Sequence, residues 1–235
     1  MAQERMVTIE CEKHGTFEQR VWGWNNPRCE KCIEEEVEAR RLEQRKRDEE
    51  EILERRRRWA DESVPARYMN ASISDFPDAT IASILAWTKD SKTESGNLVI
   101  FGPVGTGKTH LAAAITRHLI LNRTDAKYSS QANYLRQIRK TWDSQSESED
   151  AVFQSFVLPR VLVLDDIGAA RGNDNDTLRL GELIAERYDA MKPTVYVTNL
   201  TPETLKLTVG DRSYDRMRDK AVQLVLNGET RRKAA

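Results

Sequence analysis

Cysteine is scarce in this chain: there are three in 235 residues, all within the first 32. That is no disulfide framework spread over a fold, and it points to a reducing, cytoplasmic setting. Long apolar runs are missing too, none approaching the roughly 20 residues that cross a bilayer, so no membrane association is expected. The opening Met1-Ala2-Gln3-Glu4-Arg5 has no apolar core of the kind a signal peptide needs. Charge of one sign is also lacking. The net charge of −1 excludes a polycation, so contact with nucleic acid has to come from a local basic patch. No internal repeat is found. The length itself is enough to bury a core without disulfides or other staples.

Proline and glycine are absent from residues 33–62, where Glu and Arg dominate from Ile33-Glu34-Glu35-Glu36 to Arg55-Arg56-Arg57-Arg58. These are strong helix formers. Opposite charges recur at helical neighbour spacing, as in Glu36 with Arg40 and Glu43 with Arg47. Ile33, Val37, Leu42, Ile52 and Leu53 are too sparse for a heptad seam. The segment reads as a long solvated helix, either a spacer or a docking rod. Pro65 marks the way into the main domain, and Asp75-Phe76-Pro77-Asp78 resets the chain before Ile81, Ile84 and Leu85 fall at helix spacing. From Leu98 onward, short apolar runs alternate with amphipathic helices, which predicts an α/β fold with a parallel sheet. The strand candidates are Leu98–Phe101, Ala126–Ser129, Val161–Leu164, Thr194–Thr198 and Val222–Leu226, and the polar stretch Asp143–Asp150 reads as a loop or frayed helix end.

Gly102-Pro103-Val104-Gly105-Thr106-Gly107-Lys108-Thr109 fits G-x-x-x-x-G-K-[ST] at every position. It follows an apolar strand and opens a helix expected to be amphipathic through Leu111, Ile115 and Leu119, which is the context a phosphate-binding loop requires. Glycines let successive N–H groups turn inward around a phosphate, and the helix N-terminus adds its positive end. Lys108 is expected on the β- and γ-phosphates of ATP and Thr109 on Mg2+. Downstream, Val161-Leu162-Val163-Leu164 suits a central strand covered on both faces, and it ends in Asp165-Asp166. Ligands bind at that end of a parallel sheet. Asp165 is placed to hold the magnesium shell and Asp166 to orient or deprotonate the attacking water. Asn199, at the tip of the neighbouring strand, can help position that water.

Cys11-Glu12-Lys13-His14 and Cys29-Glu30-Lys31-Cys32 are two ligand pairs separated by fourteen residues. Cys11, His14, Cys29 and Cys32 match a closed tetrahedral Zn2+ site. A module of this size has too little core, so the metal would supply folding energy on the order of 10 kcal/mol or more. Gly15 suits the knuckle turn, and Trp22 and Trp24 alternate like residues on one face of a strand. All four metal positions come from protein, so the site is structural. Basic and aromatic residues interleave in Lys127, Tyr128, Tyr134, Arg136, Arg139, Lys140 and Trp142. They read either as a single-stranded DNA groove or as an ordinary amphipathic helix with Tyr134, Leu135 and Ile138 in the core.

The P-loop with His110-Leu111-Ala112-Ala113-Ala114-Ile115, and the segment Leu164-Asp165-Asp166-Ile167-Gly168-Ala169, resemble the AAA+ ATPases of bacterial and phage replicative helicase loaders, the DnaC/DnaI type. Pro65-Ala66-Arg67-Tyr68 and Ser74-Asp75-Phe76 are similar to the lead-in of these loaders. Val209-Gly210-Asp211-Arg212-Ser213-Tyr214-Asp215-Arg216-Met217-Arg218 is similar to their G-[ED]-R-x-x-D-R-M segment. The resemblance covers about residues 63–233. It implies an AAA+ P-loop NTPase with a parallel five-stranded sheet over 63–235, after a zinc-ribbon-like module at 1–33 and a charged helical linker at 34–62. It implies that Lys108, Thr109 and Asp165 bind nucleotide and magnesium, that Asn199 is the first sensor, and that Arg216 is an arginine finger reaching a neighbouring subunit's ATP. Arg212 would assist and Arg232 would be the second sensor, although Asn227–Arg232 departs from the aromatic-rich ending of the family. Asp166 stands where many AAA+ proteins have Glu, which implies slow hydrolysis and a nucleotide used as a timer. The implied partners are a hexameric replicative helicase, contacted by the zinc module, single-stranded DNA along the Lys127–Trp142 region, and further copies of the chain. The alternatives are a transposase-assisting ATPase of the IstB type and an ATP-sensing adaptor with little hydrolysis. A small-molecule kinase leaves the arginine segment and the zinc module unexplained.

Overall fold

The computed structural model describes residues 4–22, 28–90, 96–142, 148–169 and 174–227. The chain divides into two compact units, Met1–Arg55 and Arg56–Ala235. Among the described residues no helix is long and apolar enough to cross a membrane.

The first unit opens with an antiparallel hairpin, β1 (Glu4–Cys11) and β2 (Gly15–Trp22), in register from Glu4 opposite Trp22 to Cys11 opposite Gly15. Val7, Ile9, Phe17 and Val21 share one face by the two-residue period, with Ile9 and Val21 buried. Met6 and Trp22 lie on the other face and are exposed. The alternation around Trp22 anticipates β2, whereas Trp24 lies outside the described residues and β1 has no counterpart in the sequence reading. Gly15, at φ +78°, closes the turn in a left-handed conformation. Helix α1 (Glu30–Glu62) starts earlier than its Glu/Arg composition suggests, so that Cys32 stands in its first turn. It is solvated along nearly its whole length until Ala60, which is fully buried.

In the second unit, α2 (Asp78–Asp90) precedes five parallel strands: β3 (Leu98–Phe101), β4 (Ala126–Ser130), β5 (Val161–Asp165), β6 (Thr194–Val197) and β7 (Val222–Val225). Their order in the sheet is β4-β5-β6-β3-β7. The connections carry α3 (Lys108–Leu121), α4 (Gln131–Thr141), α5 (Glu149–Val157), α6 (Asp174–Asp189), α7 (Pro202–Val209) and α8 (Asp211–Arg218). Alternate residues of the central strands feed two cores. Leu98, Ile100, Val161, Val163, Val195 and Val197 pack with α2 and α3. Val99, Phe101, Leu162, Leu164 and Tyr196 pack with α4 to α8. Burial on both faces is why these strands read as continuous apolar runs.

Helix α3 departs from the amphipathic expectation. Leu111 through Thr116, Leu119 and Ile120 are all buried, because the end of α1 and the segment before α2 cover the side turned away from the sheet. Arg117 secures that cover, donating to Asp61 Oδ1 at 2.7 Å and to the Ala71 carbonyl at 2.7 Å. In the stretch read as a loop or frayed end, Ser148 caps α5 by accepting from the Ala151 amide, and residues 143–147 lie outside the described residues.

Arg187 on α6 is a charged residue buried to 1% exposure in the second unit. Its guanidinium donates to Thr194 Oγ1 at 2.8 Å and to the carbonyls of Phe156, Val157, Pro159 and Pro193 at 2.8–3.0 Å. Burial pushes its pKa down to about 10. It ties α6 to the turns that deliver β5 and β6, the strands whose far ends lead to Asp165-Asp166 and to Asn199. Arg187→Ala strands these buried carbonyls and is expected to cost about 3 kcal/mol or more, read as a lower urea midpoint; an unchanged midpoint contradicts this role.

Candidate nucleotide and metal sites

Strand β3 delivers the chain into the glycine-rich loop at Gly102. A Cβ on Gly102 would come within 2.5 Å of the Leu226 carbonyl oxygen, so the close passage of the strand after β7 demands glycine there. Gly107, at φ +94°, turns the loop into the first residue of α3. Within the loop, Thr106 Oγ1 donates to the Pro103 carbonyl at 2.9 Å. Lys108 Nζ donates to the Gly102 and Pro103 carbonyls at 2.7 and 2.8 Å. The ammonium is thus held where phosphate oxygens, as charged acceptors, can replace carbonyls.

At the end of β5, Asp165 is 1% exposed. Its carboxylate accepts from the Tyr128 hydroxyl at 2.8 Å, from the Asp166 amide at 2.8 Å and from the Thr109 hydroxyl. Desolvation raises its pKa and the nearby Asp166 charge adds to that, against the pull of the three donors. Thr109 and Asp165 are therefore in direct contact, and their oxygen donors suit one hard divalent cation such as Mg2+. The next residue, Asp166, has φ +56°, a left-handed conformation that Asp tolerates better than most residues. This turn exposes its own side chain and buries Ile167, whose amide donates to the Val197 carbonyl at 2.9 Å. Asn199 is exposed just beyond β6.

A cleft of about 370 Å3 lies over the loop. Val104, Gly105, Gly107, Lys108 and Thr109 line one side, and Asp166 and Asn199 come in from the strand ends. Arg67, Tyr68, Asp75 and His110 complete its lining. His110 Nε2 meets Asp75 Oδ2 at 2.7 Å, and its ring stands edge-on to Tyr68. Sequence reasoning marked Arg67, Tyr68 and Asp75 as a lead-in without giving them a place in the site. The signal available was His110, a polar residue one step after Thr109 in the first turn of α3.

Arg216 is not brought to this cleft. It sits on α8, 18% exposed, near Asp189 Oδ1 at 3.8 Å and over the Tyr188 ring at 5.6 Å. Asn97 Nδ2 holds its backbone carbonyl at 3.0 Å. Arg212 is exposed on the same helix and lines a separate open groove of about 840 Å3 with Arg218 and Lys220. Arg232 lies outside the described residues.

The basic and aromatic set after β4 splits. Lys127 is half-buried against Ser155 and the Phe156 ring, with its pKa lowered by desolvation. Tyr128 is committed to Asp165, and Tyr134 is fully buried with its hydroxyl on the Arg179 carbonyl. These three side chains make their contacts within the fold. Arg136, Arg139, Lys140 and Trp142 remain exposed along α4.

In the first unit, Cys11, His14, Cys29 and Cys32 converge, with all four ligand atoms within 4.8 Å of one another. His14 Nδ1 lies 3.6, 3.5 and 3.4 Å from the sulfurs of Cys11, Cys29 and Cys32, and Cys11 and Cys32 are 3.4 Å apart. A zinc tetrahedron with Zn–S bonds near 2.3 Å has edges of about 3.8 Å, shorter where imidazole nitrogen replaces sulfur. The cluster fits Zn2+. Backbone amides of His14 and Lys13 lower the Cys11 thiol to about 6. Glu35, which the sequence did not single out, receives His14 Nε2 at 3.0 Å and Lys13 Nζ at 2.6 Å. A carboxylate on the far imidazole nitrogen is the usual outer support of a metal-bound histidine, and it leaves Nδ1 for the metal.

A family model described as IstB-like ATP binding protein matches residues 30–235. The replicative helicase loader DnaC of Buchnera aphidicola subsp. Baizongia pistaciae (strain Bp) is 25% identical over 215 residues, covering 85% of this chain and 87% of that protein. The replicative helicase loader DnaC of Escherichia coli (strain K12) is 29% identical over 126 residues, covering 52% of this chain, and the match spans only 51% of that protein's length. Among solved structures, a crystal structure of the DnaC helicase loader is similar with a TM-score of 0.61 at 21% identity, over 69% of this chain and all (100%) of that one. A DnaI crystal structure gives 0.59 at 22% identity, over 74% and 99%. These likenesses, together with the five-stranded parallel sheet, identify the fold as AAA+. With the P-loop, the acidic strand end and a family match running from the start of α1 onward, the chain belongs to the family of IstB-like ATP-binding proteins.

Proposed function

We propose that this protein is an ATPase that loads a hexameric replicative DNA helicase onto single-stranded DNA during replication initiation, in the cytoplasm. One observation carries the reading. Lys108, Thr109, Asp166 and Asn199 line one cleft, with Asp165 in contact with Thr109, in a chain similar over 85% of its length to a replicative helicase loader. Lys108 exchanges its loop carbonyls for the β- and γ-phosphates of ATP. Thr109 and Asp165 would hold Mg2+, which when bound draws charge from the phosphates. Asp166 and Asn199, both exposed at the strand ends, orient the attacking water. Asp166 is one methylene shorter than glutamate, which suits slow hydrolysis and a nucleotide that times a step.

Arg216 lies outside the cleft, so it acts on the ATP of an adjoining copy, with Arg212 beside it on α8. A finger of this kind contributes about 10³–10⁵ in rate. Arg232, beyond the described residues, is assigned as the second sensor. The organisation proposed is a zinc module over 1–33, a helical linker over 34–62 and the ATPase domain over 63–235. Cys11, His14, Cys29 and Cys32 hold Zn2+, and the hairpin's exposed Trp22 and Met6 offer the helicase an apolar contact. Single-stranded DNA follows Arg136, Arg139 and Lys140, exposed along α4, and Trp142, exposed at its C-terminal end.

A second reading, an ATPase that remodels target DNA for a transposase, draws on the family's own description. The zinc cluster favours the helicase, because it gives the chain a separate folded arm for a protein partner. Retaining helicase rather than transposase in a sedimentation run decides between them. The expected result is a complex with the cognate helicase in ATP, released on hydrolysis, and no DNA-stimulated ATPase activity in the Lys108→Ala variant. No complex under any nucleotide condition contradicts the loader reading. Measurable turnover below that of typical AAA+ enzymes separates it from an adaptor that never hydrolyses.

The metal makes its own prediction. Elemental analysis should find one zinc per chain, and Cys29→Ser should lose it. The variant should lose helicase capture as well, while its ATP hydrolysis stays within about twofold of wild type, since the metal organises only the first unit. Full zinc content in Cys29→Ser contradicts the ligand assignment.

A further inference from the structure

Tyr128 is a residue whose contact the sequence pattern does not identify. It belongs to the basic and aromatic set that reads either as a DNA groove or as ordinary structure, and its ring packs on the α3 side of the sheet with its hydroxyl donating to Asp165 Oδ2 at 2.8 Å. The strand register explains the reach. Tyr128 on β4 lies opposite Val163 on β5, two residues short of Asp165, so an aromatic side chain is long enough to span the step along the neighbouring strand. Lys127 points to the opposite face, onto Phe156, as the pleat requires.

Asp165 is an ionisable side chain at 1% exposure, and the groups that hold it are all uncharged: Tyr128 O–H, the Asp166 amide and the Thr109 hydroxyl. Among the described residues no lysine or arginine forms an ion pair with it. The Asp166 amide fixes Oδ1 and Tyr128 fixes Oδ2, so the plane of the carboxylate is set from both ends before any cation arrives. The Thr109 hydroxyl keeps its oxygen lone pairs for a metal while its proton rests on Asp165. Without the Tyr128 hydroxyl, one end of the carboxylate loses its anchor and the buried group can rotate off the shared position.

We propose that Tyr128 is a positioning residue for the nucleotide-bound divalent cation, setting its affinity by orienting Asp165. This rests on the reading in which Thr109 and Asp165 hold that cation. Outer-shell partners of metal ligands are worth about 10–100-fold in metal affinity, and Tyr128→Phe removes only the oxygen.

The test titrates Mn2+ by electron paramagnetic resonance into the full chain with a non-hydrolysable ATP analogue, for wild type, Tyr128→Phe and Asp165→Asn. Tyr128→Phe should bind Mn2+ about 10–100-fold more weakly, with metal-free nucleotide affinity unchanged. The half-saturating Mg2+ for ATP hydrolysis should rise in step, while the rate at saturating Mg2+ recovers to within about threefold of wild type. Mn2+ affinity within twofold of wild type overturns the proposal. So does loss of metal-free nucleotide binding, which assigns Tyr128 to folding alone. An Asp165→Asn variant that binds Mn2+ like wild type overturns the underlying metal-site reading, an outcome distinct from failure at Tyr128 alone.

Discussion

A carboxylate buried at the end of a central strand is the constraint on which the second unit turns. Asp165 is desolvated enough to raise its pKa, and it stays in place because Tyr128, Thr109 and the Asp166 amide donate to it. Each donor comes from a different part of the fold: β4, the first turn of α3, and the left-handed step after β5. The carboxylate can be satisfied only when the sheet, the P-loop helix and that turn are assembled together. A group whose charge is costly to bury and poorly countered in the protein alone is also one that a divalent cation relieves.

Much of this was readable in the chain. The five strands follow from short apolar runs because both faces of a parallel sheet are covered, and the phosphate loop follows from glycines whose freedom no other residue matches. The contacts that refine the site were not readable for a common reason: they are side-chain pairs distant in sequence. Tyr128 meets Asp165 across 37 positions and His110 meets Asp75 across 35. Glu35 sits 21 residues from His14, inside a run of identical-looking acids. Only the register of β4 on β5, or the place of α1's first turn beside the knuckle, singles these residues out. The reading of α3 as amphipathic failed for a related reason. Leu111, Ile115 and Leu119 mark one face, but the three alanines between them allow the other face to be covered as well.

The two units are held together internally by different means. The second has two apolar cores on either side of its sheet and a buried cation, Arg187, held by backbone carbonyls. The first has a two-stranded hairpin with only Ile9 and Val21 buried among its strand residues, a core too small to fold by burial alone. A metal at Cys11, His14, Cys29 and Cys32 would supply what burial does not, and Glu35 ties the start of α1 to His14 of that cluster. In the second unit Arg216 lies near Asp189 and Tyr188 and does not line the cleft over the phosphate loop.

The central claim is that Thr109 and Asp165 complete a nucleotide site through one divalent cation. Thermal unfolding with ATP, in Mg2+ and in chelator, tests it most directly. Wild type should gain midpoint stability with ATP and gain clearly more with Mg2+ present, whereas Asp165→Asn should keep the first increment and lose the second. An equal magnesium increment in Asp165→Asn, or no response of wild type to ATP at all, would contradict the account.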